Sequence, residues 1–152
     1  MEELSVGMSR VASAANIMGV DIDQLNAQLA TIVSVTREAP ESIGTALKTV
    51  YARMSDIEAG LDSETSLGEY TKQMAEMGIK VLDAKGNLRD MGAVVEEIGE
   101  KWNTFNRNQQ VALAQSIAGT RQYSRMMALF DNWNMYESAK EISEDSAGTL
   151  QK

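Results

Sequence analysis

From Ile43 onward, apolar side chains recur at intervals of four, three, four and three residues: Ile43, Leu47, Val50, Met54 and Ile57. Only an α-helix brings such a series onto one face, because about 3.6 residues make a turn. Thr45, Lys48, Thr49, Ala52 and Asp56 fall on the opposite side, so this helix has one face for a core and one for water. Pro40 stands ahead of it, where a fixed φ and a missing N–H suit a first helical turn. A single amphipathic helix is not a fold. The rest of the chain must supply what this face packs against.

It does so with more helical segments. Leu4 to Met18 carries Val6, Met8, Val11, Ala14, Ala15 and Met18 and closes at Gly19, a good terminator. Asp21 followed by Gln24 is a capping-box pattern that starts a second helix, with Leu25, Leu29, Ile32 and Val33 as its buried stripe. Residues 58–69 are polar, acidic and glycine-containing, and read as a loop suited to a hinge or an internal boundary. A short helix follows to about Met77. Ile79 to Arg89 then reads as a small β-hairpin, turning at Gly86 and Asn87. Asp90 caps a helix with Met91, Val94, Val95, Ile98, Trp102 and Phe105 on one side. Asn106 to Asn108 forms the next cap region, before Val111, Leu113, Ala114 and Ile117. Gly119-Thr120 breaks the chain again, with Thr120 as an N-cap. Tyr123, Met126, Met127 and Phe130 face inward beyond it, and Arg121, Arg125 and Asn132 project from the other side. The acidic, small-residue tail after Tyr136 begins a last helix. The expected fold class is all-α, several short packed helices with one small β-hairpin near residues 79–89. The expected organisation is an N-terminal helical module over 1–60 and a hairpin-plus-helical module over 61–152, or one continuous domain.

A chain of 152 residues can bury roughly 70% of its unfolded surface. Ten Met against only 5% aromatics suit closely packed helices with adaptable fillings. The formal net charge of -8 disfavours phosphate backbones and anionic lipid, so neither specific nucleic-acid binding nor membrane binding by this segment is expected. No Cys and no His are present, which removes disulfides, thiol chemistry, imidazole triads and the usual zinc ligands. No apolar run approaches a membrane span, and the first residues lack a basic-then-apolar signal.

Carboxylate pairs are the remaining acid/base material. Asp21 reads as a cap, and Glu96 with Glu97 as the wet side of a helix, since adjacent helical positions diverge by about 100°. Asp83 to Asp90 resembles a cation loop only superficially, because Lys85 and Arg89 occupy would-be ligand positions. Gly44, Gly86 and Gly119 lack the Gly-Lys-Ser/Thr ending of a phosphate loop. Val11 to Leu29 has a helix-turn-helix outline, but Asp21, Asp23, Gln24, Asn26 and Gln28 offer no cation to a phosphate backbone. Catalytic, cofactor-binding and metal-ligating residues are therefore expected to be absent, and no cofactor is implied. The candidate contact residues are Arg121, Gln122 and Arg125, an outward group suited to an acidic partner or another copy of the chain.

Several stretches resemble, in the same order, the core region of bacteriophage and prophage tail tape measure proteins. They are Gly19 to Leu25, Thr36 to Met54 with its Gly-Thr-Ala-Leu helix, and the turn from Val81 to Met91. Trp102, Ala114 to Tyr123 and Ala128 to Asn132 complete the series, so the similarity runs from about Ser9 to Trp133. The resemblance implies a fragment of a much longer structural protein that sets tail length and scaffolds the tail tube. It implies tail tube subunits, tail assembly chaperones and tail tip or baseplate proteins as partners, beside the other copy of the chain that the Arg121 and Arg125 face suits. The implied location is the virion tail, assembled in the host bacterial cytoplasm. Some members carry peptidoglycan-cleaving domains, and no such motif is found here.

A ruler works by extended length, and a fully helical rod of this chain would span roughly 230 Å at about 1.5 Å per residue. Folded compactly, its radius of gyration would be about 15 Å. The Gly and Pro breaks favour short packed helices, and hence a docking module. The rival expectations are a cytoplasmic helical adaptor unrelated to phage and a segment of a wall-degrading enzyme.

Overall fold

The computed structural model describes the backbone from Ala15 to Gln151, with side chains described to Asp145. The expected first helix, Leu4 to Met18, lies largely outside the described residues; its end is helical over 15–17 and turns at Gly19. Six helices follow: α1 (Ile22–Thr36), α2 (Pro40–Ala59), α3 (Leu67–Glu76), α4 (Met91–Lys101), α5 (Arg107–Asp131) and α6 (Trp133–Gln151). A 3-10 turn, Trp102–Thr104, joins α4 to the connector before α5.

Local chemistry sets most of the boundaries. Asp21 Oδ1 accepts from the Gln24 N–H at 2.8 Å and Gln24 Oε1 accepts from the Asp21 N–H at 3.0 Å, closing the expected capping box. Asn106 and Gln109 repeat the device at the head of α5. Pro40 opens α2, and α2 ends where Gly60 adopts a left-handed conformation and the Leu61 N–H reaches Asp56 O at 2.8 Å. The loop expected over 58–69 is therefore shorter, residues 60–66, because Ser66 already caps α3 through the Glu69 N–H.

Other expectations need correction. Residues 79–89 do not form a β-hairpin. The strand-like contact is a single antiparallel bridge, Leu82 with Leu88. The return arm is only three residues long, 88–90, before α4 begins; the Asp83 N–H to Asn87 O (2.8 Å) and Arg89 N–H to Val81 O (2.7 Å) bonds make that one bridge, and Asp83 Oδ1 takes the N–H groups of Lys85 and Asn87 within the turn. Phe105 likewise is not on the α4 face; the helix has ended, and Phe105 is extended at φ -95, ψ 143.

Asp90 occupies the N-cap position of α4, but its side chain makes no capping bond. The freed N–H groups of Met91 and Gly92 donate instead to Met18 O at 2.7 Å and Gly19 O at 3.3 Å. This backbone-to-backbone seam requires small residues. A Cβ on Gly19 would lie 2.3 Å from Asp90 Oδ1, and one on Gly92 would lie 2.2 Å from Gln24 Oε1.

The stripe Ile43, Leu47, Val50, Met54 and Ile57 is buried throughout, as are Leu25, Leu29 and Ile32 of α1. One cluster joins them to Tyr70, Met74, Val94, Val95, Ile98, Leu113, Ile117, Met126 and Phe130, so the core draws on residues either side of position 60. α6 packs along α1, and α5 packs against both α1 and α2. Trp102 stacks on Phe130 at 4.8 Å and Trp133 on Tyr136 at 4.2 Å, closing the end where α4, α5 and α6 meet. Each such side chain contributes roughly 1.5–3 kcal/mol by leaving water.

Candidate partner-contact surface

The surface that stands apart is built around an interruption in α5. At Gly119 the backbone takes φ 78, ψ 173 while the helix continues on both sides. That region is accessible essentially to glycine alone, so the expected break is present as a kink. A kink removes the i+4 donors from the preceding carbonyls. Arg53 of α2 replaces them: its Nη1 donates to Ser116 O at 2.8 Å and to Ile117 O at 3.1 Å. The guanidinium thus sits at the negative end of the first half of α5. Its Nη2 donates to Thr65 Oγ1 at 3.3 Å, which ties in the connector 60–66.

Beyond the kink, Arg125 is not a free cation. Its Nη2 and Nε donate to the two carboxylate oxygens of Glu38 at 2.7 and 3.1 Å, and its Nη1 donates to Gln122 Oε1 at 2.8 Å. Arg121 is exposed and makes no hydrogen bond or ion pair among the described residues. So the three candidate residues divide. Arg125 anchors α5 to the α1–α2 connector and holds Gln122, and Arg121 and Gln122 line an open groove of about 740 Å³. Lys48, Thr49, Ala52 and Arg53 form the α2 side of that groove, and Gly119 with Arg121 the α5 side.

Glu96 and Glu97 differ from the wet face expected of them. Both are half-buried and engaged, in separate networks. Glu96 Oε2 accepts from Lys140 Nζ at 2.6 Å and from Tyr136 Oη at 3.0 Å, which pins α6 to α4. Glu97 accepts from Arg89 at 2.9 Å and Lys101 at 3.3 Å. Burial raises the Glu97 pKa, and the hydrogen bonds and charges of Arg89 and Lys101 more than offset it, leaving the carboxyl below its usual range. For Lys140, burial lowers the pKa, but Glu96, Glu144 and Asp21 together hold it above the usual value. Both carboxylates serve as struts between elements.

Arg53 was not singled out as a contact or anchoring residue in the sequence. Its partners are carbonyls 63 and 64 residues away, exposed by a kink whose geometry no local pattern specifies. The legible signal was the pair of break residues at Gly119-Thr120.

Short helices packed around one core, with polar struts and an open charged groove, define an all-helical structural module. The model of a family described as phage-related minor tail protein matches residues 1–119. The chain belongs to that family, and with it has a structural role in a phage tail, as a component of the virion tail. The match ends at the kink, so Arg121, Gln122 and Arg125 lie just beyond it. No solved structure matches the chain. Membership sets aside the adaptor unrelated to phage.

Proposed function

We propose that this chain is a core-region segment of a tail tape measure protein, acting in tail length determination and tail tube assembly as a docking module instead of a measuring rod. The observation that carries the reading is a buried core shared by α1 to α6 in a phage tail family member. Helices that bury their apolar faces on one another cannot at the same time lie end to end along a tube.

In this reading the parent polypeptide engages tail tube subunits, tail assembly chaperones, tip or baseplate proteins, or another copy of itself, during assembly in the host cytoplasm. Its contacts lie on the face of Arg121, Gln122 and Arg125. Arg121 offers a free guanidinium, and the Arg125–Glu38 pair holds the face in register. The role is one of binding, with no catalytic step.

In-frame deletion in the parent gene tests this. Removing residues 22–131 abolishes tail formation if the segment docks. Viable tails shortened in proportion to the deleted residues, about 1.5 Å for each, would mark the segment as a ruler and overturn the reading.

A further inference from the structure

The groove beside the α5 kink is electrically polarised along its length. Thr45, Lys48, Thr49, Ala52 and Asp56 lie on one arc of α2, and all of them line it. Lys48 and Asp56 are eight residues apart, about 12 Å along the helix. Arg121 belongs to the half of α5 whose Arg125 is bonded to Glu38, just ahead of the start of α2, so it adds its charge at the Lys48 end. Glu64 belongs to the connector that follows the end of α2, so it adds its charge at the Asp56 end. Lys48, Arg121, Asp56 and Glu64 are all exposed. Five other cations of the described chain, Arg89, Lys101, Arg107, Arg125 and Lys140, are held in ion pairs. Between the two charged ends lie the small Thr49 and Ala52 together with Arg53, whose guanidinium is turned onto the Ser116 and Ile117 carbonyls and Thr65 Oγ1, while Asp62 adds a second connector carboxylate beside Glu64.

We propose that this groove receives a helix of a partner protein that carries an acidic side chain toward Lys48 and Arg121 and a basic side chain about two turns away, toward Asp56 and Glu64. The inference rests on the docking reading above and names the surface and the chemistry of its occupant. A concave trough with the small Thr49 and Ala52 between its charged ends fits a convex helix, whose diameter with side chains is about 10–12 Å. The charge pattern sets its direction, because reversing the helix brings like charges together at both ends. A nucleic-acid backbone does not fit, since its uniform phosphates meet Asp56 and Glu64 as well as the cations.

The test uses the full-length parent protein in assembled tails, with a photo-reactive benzophenone side chain at residue 49 on the groove floor. The expected product is an adduct with one helical segment of a tail protein that bears an acid and a base about two turns apart. Lys48→Glu combined with Arg121→Glu lowers the adduct yield at least about tenfold with thermal unfolding unchanged. Asp56→Lys combined with Glu64→Lys does the same. The proposal is overturned by an adduct insensitive to both reversals, by one on a segment lacking that polarity, by attachment to nucleic acid or lipid, or by no adduct in assembled tails. Failure of the docking reading itself shows differently, as tails that shorten on deletion, whatever the adduct yield.

Discussion

Arg53 and Arg125 stand on either side of the same kink and both fasten α5, yet they do so by different physics. Arg53 donates to two backbone carbonyls left without partners by Gly119, whereas Arg125 pairs with Glu38, a carboxylate that water would otherwise solvate well. Removing the first leaves polar groups of the fold unsatisfied. Removing the second frees two surface groups to be hydrated. The same residue type therefore holds structure in one place and orients a surface in the other, and the accessible partner decides which.

The kink itself should show the largest effect. Gly119→Ala forces a side chain into a backbone region that only glycine occupies comfortably and brings Cβ within 3.3 Å of Arg53 Nε. We expect a loss of about 2–3 kcal/mol, or roughly 5–10 °C in Tm. A variant as stable as the parent would show that the bend is not required by the packing of α5. Arg53→Met comes next. Methionine keeps much of the aliphatic stem but none of the donors, so a loss of about 2 kcal/mol is expected in chemical denaturation. If Gly119→Ala has already straightened the helix, adding Arg53→Met costs nothing more, and that non-additivity is the sharper measurement.

These two sites also mark where the sequence could and could not be read. Caps and faces were legible because their causes are local: Asp21 with Gln24, Pro40, and the stripe from Ile43 to Ile57 need only neighbours along the chain. The place of the kink was legible too, in Gly119-Thr120. The residue that stabilises it was not, because Arg53 lies on another helix and its partners are main-chain atoms with no side-chain identity to recognise. The hairpin expected near 79–89 failed for a related reason. Its turn residues were suitable, but the length available to the return arm was fixed by where α4 starts, and α4 starts against Met18 and Gly19, far away in sequence. Of the candidate contact residues, Arg125 was visible as a cation on an outward face, but Glu38 as its partner was not.

Acid separates the two kinds of fastening. The Ser116 and Ile117 carbonyls do not titrate, so the Arg53 clamp is indifferent to mild acid. The Glu97 strut is not. Glu97 is held below its ordinary pKa once Arg89 and Lys101 outweigh the opposing effect of burial. A depressed folded-state pKa contributes stability that is fully present above the unfolded value near 4.5 and disappears as pH falls through the folded value. Denaturation profiles of the parent and of Glu97→Gln should therefore differ by less than about 1 kcal/mol near neutrality and converge once pH falls below the lowered folded-state pKa. A Glu97→Gln difference that persists unchanged into acid would mean that packing, not charge, is what the residue supplies.

The smallest effect belongs to the pair that faces the groove. Arg125 and Glu38 keep 26% and 36% of their side-chain surface exposed, enough for water to screen the pair and to rehydrate either group alone. Arg125→Met, Glu38→Gln and the double variant should give a coupling energy below about 1 kcal/mol. Gln122 would then lose its hydrogen-bond donor and move, altering the shape of the face with little change in stability. A coupling above about 2 kcal/mol would instead place this pair with Arg53 as part of what holds the helices together. The face would then be a structural joint, and Arg121 alone would remain to meet a partner.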